Sequence, residues 1–254
     1  MGYTIVDLTT GEQFGAKEAE VFPTASTIKL AILYELFMQA DAKKIDLDRH
    51  IPFSEVPRTG GSGILKELKD PQLSLRDHAA LMIWLSDNTS TNLLIDKLGM
   101  AAIQARIDAL GLKQTKLRRR MMDAAAVARG DENVSTPREI ASLLGVLYRG
   151  TGLSERSHAD AIAMLSREKD TPMTRTLTAR PPGTRIASKP GGLDGVRVDA
   201  GVVYLQGRPY VFVAMCTYVQ DEAASERTIG EASRAAFNYF WRLGSGGSFG
   251  RRNP

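Results

Sequence analysis

Short β-type runs stand at the two ends of this chain with a long stretch of helical pattern between them, and that arrangement restricts the folds open to it. Tyr3–Leu8 and Gln13–Ala16, joined by the turn Thr9-Thr10-Gly11, read as a strand pair. Strand patterns return only at Thr184–Lys189, Ala200–Leu205 and Tyr210–Tyr218, the last two separated by the hairpin turn Gln206-Gly207. Between them lie helix signals. A helix opens at Ser26 and runs to about Ala40, and Ser74 with Asp77 caps the apolar stretch Leu75–Leu85. Ser90–Leu98 is stopped by Gly99 and Met100–Leu110 by Gly111, while Thr136 caps a helix with Pro137 in its first turn. Glu155–Ser166 and Ser225–Leu243 are further helices. The pattern predicts an α+β fold: an antiparallel sheet from both chain ends, sandwiched by helices, plus an all-α region. The α/β domain is expected over residues 1–45 and 176–245, the inserted helical domain over 46–175, and a disordered tail rich in Gly, Ser and Arg over 246–254.

Three short polar motifs fall at the junctions of this plan: Ser26-Thr27-Ile28-Lys29, Ser86-Asp87-Asn88 and Lys189-Pro190-Gly191. Ser26 and Lys29 are three apart, so at a helix start both side chains project from one face. The helix N-terminus favours a developing alkoxide and later an oxyanion. A lysine acts as a base only when burial or a neighbouring cation lowers its pKa, and Lys189 is a candidate for that cation. In the second motif Ser86 is placed to pass protons and Asn88 to hold a substrate amide. In the third, the strand period puts Lys189 and Gly191 on one side, where a missing side chain lets substrate backbone lie alongside. Pro190 gives no N–H to a ladder, so an edge strand is expected. The ordered set reads as an active-serine acyl-transfer site.

This set resembles the class A β-lactamase-like, penicillin-recognising active-serine hydrolases, whose signatures are S-x-x-K, S-D-N and K-T-G. The resemblance runs from about Gly2 to about Leu243 and implies the β-lactamase/transpeptidase-like fold. It implies Ser26 as nucleophile, Lys29 as its base, Ser86 as proton shuttle, and Asn88, Lys189 and Gly191 as substrate-binding positions. The oxyanion hole would be the backbone N–H groups of Ser26 and Gly192. No cofactor or metal is implied. The implied substrate is a small β-lactam or an acyl-peptide or ester, handled by a monomer. The implied location is periplasmic or secreted, with the signal peptide absent from this sequence.

Three departures qualify the resemblance. The family glutamate that activates the deacylating water falls nine residues before the counterpart of Gly130, and that position is Met121. The nearest acid is Asp123, a candidate for partial deacylation assistance. Pro190 replaces a Thr or Ser whose hydroxyl would bind the substrate carboxylate, and the family's N-terminal helix is missing, as expected of a trimmed or truncated relative. The expected activity is therefore β-lactam opening through an acyl-serine with slow deacylation. A D-alanyl-D-alanine peptidase or esterase of the same fold is the alternative enzyme, and a penicillin-binding sensor module is the non-enzyme alternative.

Composition narrows the function classes further. With 254 residues, 43% hydrophobic and 24% charged, the chain can bury a sizeable core. A net charge of +4 favours an anionic substrate and falls far short of a nucleic-acid signature. The run Arg118-Arg119-Arg120 is followed by Asp123, Asp131 and Glu132 and reads as a salt-bridged loop. No run reaches the roughly 18 apolar residues of a membrane span. Cys216 has no partner for an internal disulfide and sits in an apolar run, as a core thiol does. His50, His78 and His158 come with no Gly-x-Ser-x-Gly elbow, and structural or surface roles are expected of them. Gly60-Gly61-Ser62-Gly63 lacks the following Gly-Lys-Ser/Thr of a phosphate loop and is expected to border the site.

Overall fold

In the computed structural model, residues 1–177 and 180–246 are described. The chain opens with β1 (Gly2–Asp7), β2 (Gln13–Ala16) and β3 (Phe22–Pro23), makes a 3₁₀ turn over Ala25–Ile28 and enters α1 (Lys29–Asp41). Next come β4 (His50–Ile51), β5 (Leu73–Ser74), α2 (Leu75–Trp84), α3 (Asn88–Leu98), α4 (Met100–Ala109) and α5 (Ala124–Ala128). Then follow β6 (Val134–Ser135), α6 (Pro137–Arg149), α7 (Glu155–Leu165) and α8 (Pro172–Thr176). The chain closes through β7 (Arg185–Ser188), β8 (Gly191–Leu193), β9 (Val196–Tyr204), β10 (Tyr210–Thr217) and α9 (Glu222–Ser245).

The main sheet has the order β2-β1-β10-β9-β7, with β8 also paired to β9, and every pairing is antiparallel. The two chain ends meet directly, because Gly2 through Asp7 pair with Met215 through Tyr210. Alternation along β10 divides the core between the two faces of the sheet. Val211, Val213 and Met215 join the cluster under the helical side, whereas Tyr210, Phe212, Ala214 and Cys216 join the cluster under α8 and α9. A strand covered on both faces reads as a continuous apolar run, which is the pattern of Tyr210–Thr217. The sheet is thus the middle layer between α9 with α8 and the helices that pack around α1.

α1 is buried on all sides, with every residue from Lys29 through Phe37 buried, so it shows no polar face. Local chemistry sets the starts of α2 and α6 as the sequence predicts. By contrast, α3 and α9 begin earlier than expected, at Asn88 and Glu222, because Asp87 and Asp221 cap them, and the short α5 and α8 are not expected from the sequence. Ser74 and Asp77 form a reciprocal capping box on α2, and Thr136 caps α6 through Glu139 N. Gly150, with φ of 65°, closes α6 in the left-handed region that glycine adopts without penalty.

Several boundaries differ from the sequence reading. Ser26 lies in the 3₁₀ turn, and the α-helix itself begins at Lys29. The expected strand Thr184–Lys189 ends at Ser188, Pro190 interrupts the edge, and β8 resumes the pairing at Gly191. β9 starts at Val196 rather than Ala200, because the Gly-rich segment before it turns at Asp194-Gly195 into a hairpin with β8. α9 continues through Gly244 to Ser245, and the tail expected to be disordered lies, from residue 247 on, outside the described residues.

The α9 layer is anchored by Phe240, which stacks on Tyr210 at a centroid distance of 4.4 Å and is 1% exposed. Phe240→Ala should therefore cost about 3–5 kcal/mol of folding stability. Urea unfolding should show the midpoint falling by the corresponding amount; a loss under about 1 kcal/mol would mean that α9 is not packed as described.

Candidate active site

The three motifs converge where the turn before α1, the loop before α3 and the edge of the sheet meet. Ser26 is held in its 3₁₀ turn by Thr24 and Thr27, whose hydroxyl donates to the Thr24 carbonyl at 2.7 Å. Ala25, just before it, has φ of 45°, a left-handed conformation uncommon for a residue with a side chain. β8 passes close by. A Cβ added to Gly191 would stand 2.9 Å from both Ser26 N and the Thr24 carbonyl oxygen, so only glycine lets the strand edge approach the serine amide.

Ser86 also has left-handed backbone, with φ of 56°, in the turn between α2 and α3. Asp87 fixes that turn by capping α3 at Ser90 N and accepting from Leu65 N, each at 2.8 Å. The turn directs both Ser86 oxygens at Lys29, whose Nζ donates to Ser86 O at 2.7 Å, Ser86 Oγ at 3.0 Å and Asn88 Oδ1 at 3.0 Å. Ser86 Oγ in turn donates to Ser26 Oγ at 2.8 Å and accepts from Lys189 Nζ at 3.1 Å. Lys189 also donates to its neighbour's carbonyl, Pro190 O, at 2.8 Å. The single Ser86 hydroxyl thus joins Ser26 and both lysines.

Burial controls the charge here. Desolvation lowers the pKa of Lys29 to about 7, opposed by the field of Asp87. Lys189 is pushed well below its ordinary value, first by burial and then by the Lys29 and Lys169 charges, with Asp199 acting against them. The sequence reading offered burial or a neighbouring cation, with Lys189 as the candidate, as the cause for Lys29; burial is the cause, and it is Lys29 that lowers Lys189.

Asn88 has a dual engagement: besides accepting from Lys29, its Nδ2 donates to Gly60 O at 3.0 Å. It thereby joins Gly60-Gly61-Ser62-Gly63 to the site, and Gly61 and Ser62 line the cleft. This cleft, about 560 Å³, runs from Ser26 and Gly192 to Met121, Val127 and Leu193. Met121 is buried at its wall, and its peptide is clamped by Asn92, which accepts from Met121 N at 2.9 Å and donates to Met121 O at 3.1 Å. Asp123 also lines the cleft, but its carboxylate accepts from Ala126 N at 2.9 Å as the cap of α5.

The residues set aside in the sequence take structural places. His78 is buried against Ser90 Oγ at 3.1 Å, with its pKa lowered to about 4 by desolvation. His158 Nε2 lies 3.1 Å from Tyr148 O, and His50 sits in the short strand β4. Arg119 pairs with Glu132 at 2.8 Å and Arg120 with Asp96, as a salt-bridged loop. Sequence reasoning missed Asn92, whose only signal was an amide four residues after Asn88 on one helix face, and the cluster of Arg175, Arg197 and Glu226 beyond Lys189.

The chain is similar to known proteins over most of its length. Beta-lactamase SME-1 from Serratia marcescens is 25% identical over 93% of this chain and 82% of its own length. Beta-lactamase ROB-1 from Haemophilus influenzae is 28% identical over 94% of this chain and 79% of its own. Among solved structures, a beta-lactamase from Sphaerobacter thermophilus superposes with a TM-score of 0.87 at 32% identity, covering 94% of this chain and 90% of that one. PBP-A superposes with a TM-score of 0.84 at 28% identity, covering 94% and 89%, and a variant of it was solved as an acyl-enzyme complex with penicillin G. The model of the beta-lactamase enzyme family matches residues 1–240, and this chain belongs to that family.

Proposed function

We propose that the protein opens β-lactam amides through an acyl-Ser26 intermediate and releases the acyl group slowly. The observation that carries this reading is the hydrogen-bonded set Ser26–Ser86–Lys29, with Lys29 buried and its pKa near 7. When Lys29 is neutral, the relay runs from Ser26 toward the amine: Ser26 Oγ attacks the lactam carbonyl, its proton passes to Ser86 Oγ, and the Ser86 proton passes to Lys29 Nζ. The tetrahedral oxyanion is assigned to the backbone N–H groups of Ser26 and Gly192, beside the close approach of Gly191 to the Ser26 amide. Collapse breaks the C–N bond, and the proton returns from Lys29 through Ser86 to the departing nitrogen. Lys189 donates a hydrogen bond to the same hydroxyl, and Asn88 keeps Lys29 aligned.

Among the described residues no equivalent relay serves the release step. Met121 offers no proton acceptor at the cleft wall, and the Asp123 carboxylate is engaged in capping α5. General-base assistance is typically worth about 10²–10⁴-fold, so its absence leaves a long-lived acyl-serine. The same feature favours a second reading, a D-alanyl-D-alanine peptidase or esterase, in which the natural acyl group differs from a β-lactam.

Intact mass spectrometry over time with benzylpenicillin tests the first reading. The expected result is a rapid adduct of one penicillin that persists, and none in Ser26→Ala. Met121→Glu should shorten its lifetime by about tenfold or more, because Asn92 clamps the peptide at that position. Rapid turnover with no detectable adduct in the wild type would mean that a different group activates the water.

The pH dependence follows from Lys29. Its amine is neutral above its lowered pKa, so the acylation rate should rise as pH passes through about 7 and then level off. Lys29→Arg should lose acylation almost as fully as Lys29→Ala, since a guanidinium stays protonated. Stopped-flow acylation from pH 5 to 9 would measure this; a flat profile, or an active arginine variant, would show that Lys29 supplies charge alone.

A further inference from the structure

The cleft of about 560 Å³ that starts at Ser26 and Gly192 is walled by Met121, Met122, Ala124, Val127, Ala128 and Leu193, all of them apolar. Polar groups between them are engaged within the chain. Arg119 pairs with Glu132 and donates to Arg120 O at 3.1 Å, Asn133 Oδ1 accepts from Arg118 N and Arg119 N, and Asp123 caps α5. Two of the apolar side chains face water. Met122 is 57% exposed and Val127 50%, and among the described residues neither belongs to a core cluster. Met122 also has φ of 60°, a left-handed backbone uncommon for a residue with a side chain. Its side chain reaches across the mouth to the glycine loop, since a Cβ added to Gly61 would stand 3.0 Å from Met122 Sδ. An exposed apolar surface that leads down to a nucleophile fits an apolar ligand group.

The proposed acylation of Ser26 decides which group that is. The attacked carbon carries Ser26 Oγ, the oxyanion, the leaving nitrogen and the acyl side chain. The oxyanion is assigned to the amides of Ser26 and Gly192, and the nitrogen has to lie beside Ser86 Oγ, which returns its proton. Ser86 borders a smaller space, about 250 Å³, on the Lys189 side of Ser26. The direction left for the acyl side chain is the opposite one, into the larger cleft between Met121 and Leu193.

We propose that the preferred substrate carries a long alkyl or aryl acyl side chain, and that Met122 and Val127 at the mouth of the cleft set this preference. The inference rests on the acyl-serine reading, and the test separates the two. Penicillins bearing an acetyl or an octanoyl side chain are compared by the second-order rate at which each forms the Ser26 adduct, read by intact mass. Burying one methylene fully is worth about fourfold, and the methylenes that separate these chains enter a cleft that stays partly open, so the octanoyl compound should react about tenfold faster or more. Replacing both mouth residues, Met122→Ser with Val127→Ser, should lower the octanoyl-to-acetyl ratio by about threefold or more, whereas Met122→Leu should keep it. A wild-type ratio under about tenfold, or a ratio lowered by less than about threefold in the double variant, would overturn the inference while leaving the acyl-serine reading in place. No adduct with either compound, in wild type as in Ser26→Ala, would overturn both.

Discussion

Two lysines buried at a single hydroxyl govern much of this architecture. Lys29 and Lys189 are 0% and 1% exposed, and among the described residues neither forms an ion pair. An ammonium group taken out of water without a carboxylate costs several kcal/mol unless other acceptors surround it. Those acceptors come from the Ser86 carbonyl and hydroxyl, the Asn88 amide and the Pro190 carbonyl. Each is delivered by an element with its own anchor: the left-handed turn at Ser86, the Asp87 cap on α3, and the broken edge of the sheet at Pro190. Their incomplete compensation is useful, because it leaves Lys29 able to lose its proton near neutrality.

The same economy explains the strained backbone. Ala25 and Ser86 both have positive φ without being glycine, a conformation that costs of order 1–3 kcal/mol and persists only where the surroundings fix it. Both sit beside Ser26 in the site, one bringing its amide toward β8 and the other turning two oxygens toward one amine. The buried α1 and the sheet supply the packing against which that strain is held.

Much of this was legible in the residues. The strands at the two ends and the capped helices between them follow from local pattern, and the order of Ser26, Lys29, Ser86, Asn88 and Lys189 pointed to one site before any geometry. What escaped the sequence depends on contacts between distant segments. β8 is three residues, Gly191-Gly192-Leu193, with no strand propensity; it exists because β9 pairs with it. The direct reach of Lys29 to Ser26 suggested by their spacing is replaced by a link through Ser86, because the 3₁₀ turn sets Ser26 off from the α-helix. The Asn92 clamp and the Glu226 bridge join residues tens of positions apart, which no short spacing encodes.

The pairing of β1 with β10 has a consequence for how the protein is made. A chain emerging from the ribosome presents β1 long before its partner, since Gly2 waits for Met215 and Asp7 for Tyr210. The helical stretch between them has local contacts and is free to collapse early, while the N-terminal hairpin remains without the neighbour that covers its edge. The site obeys the same clock, because Lys189 is made long after Ser26. The hydroxyl that joins the two lysines therefore gains its second amine only after Lys189 has been made.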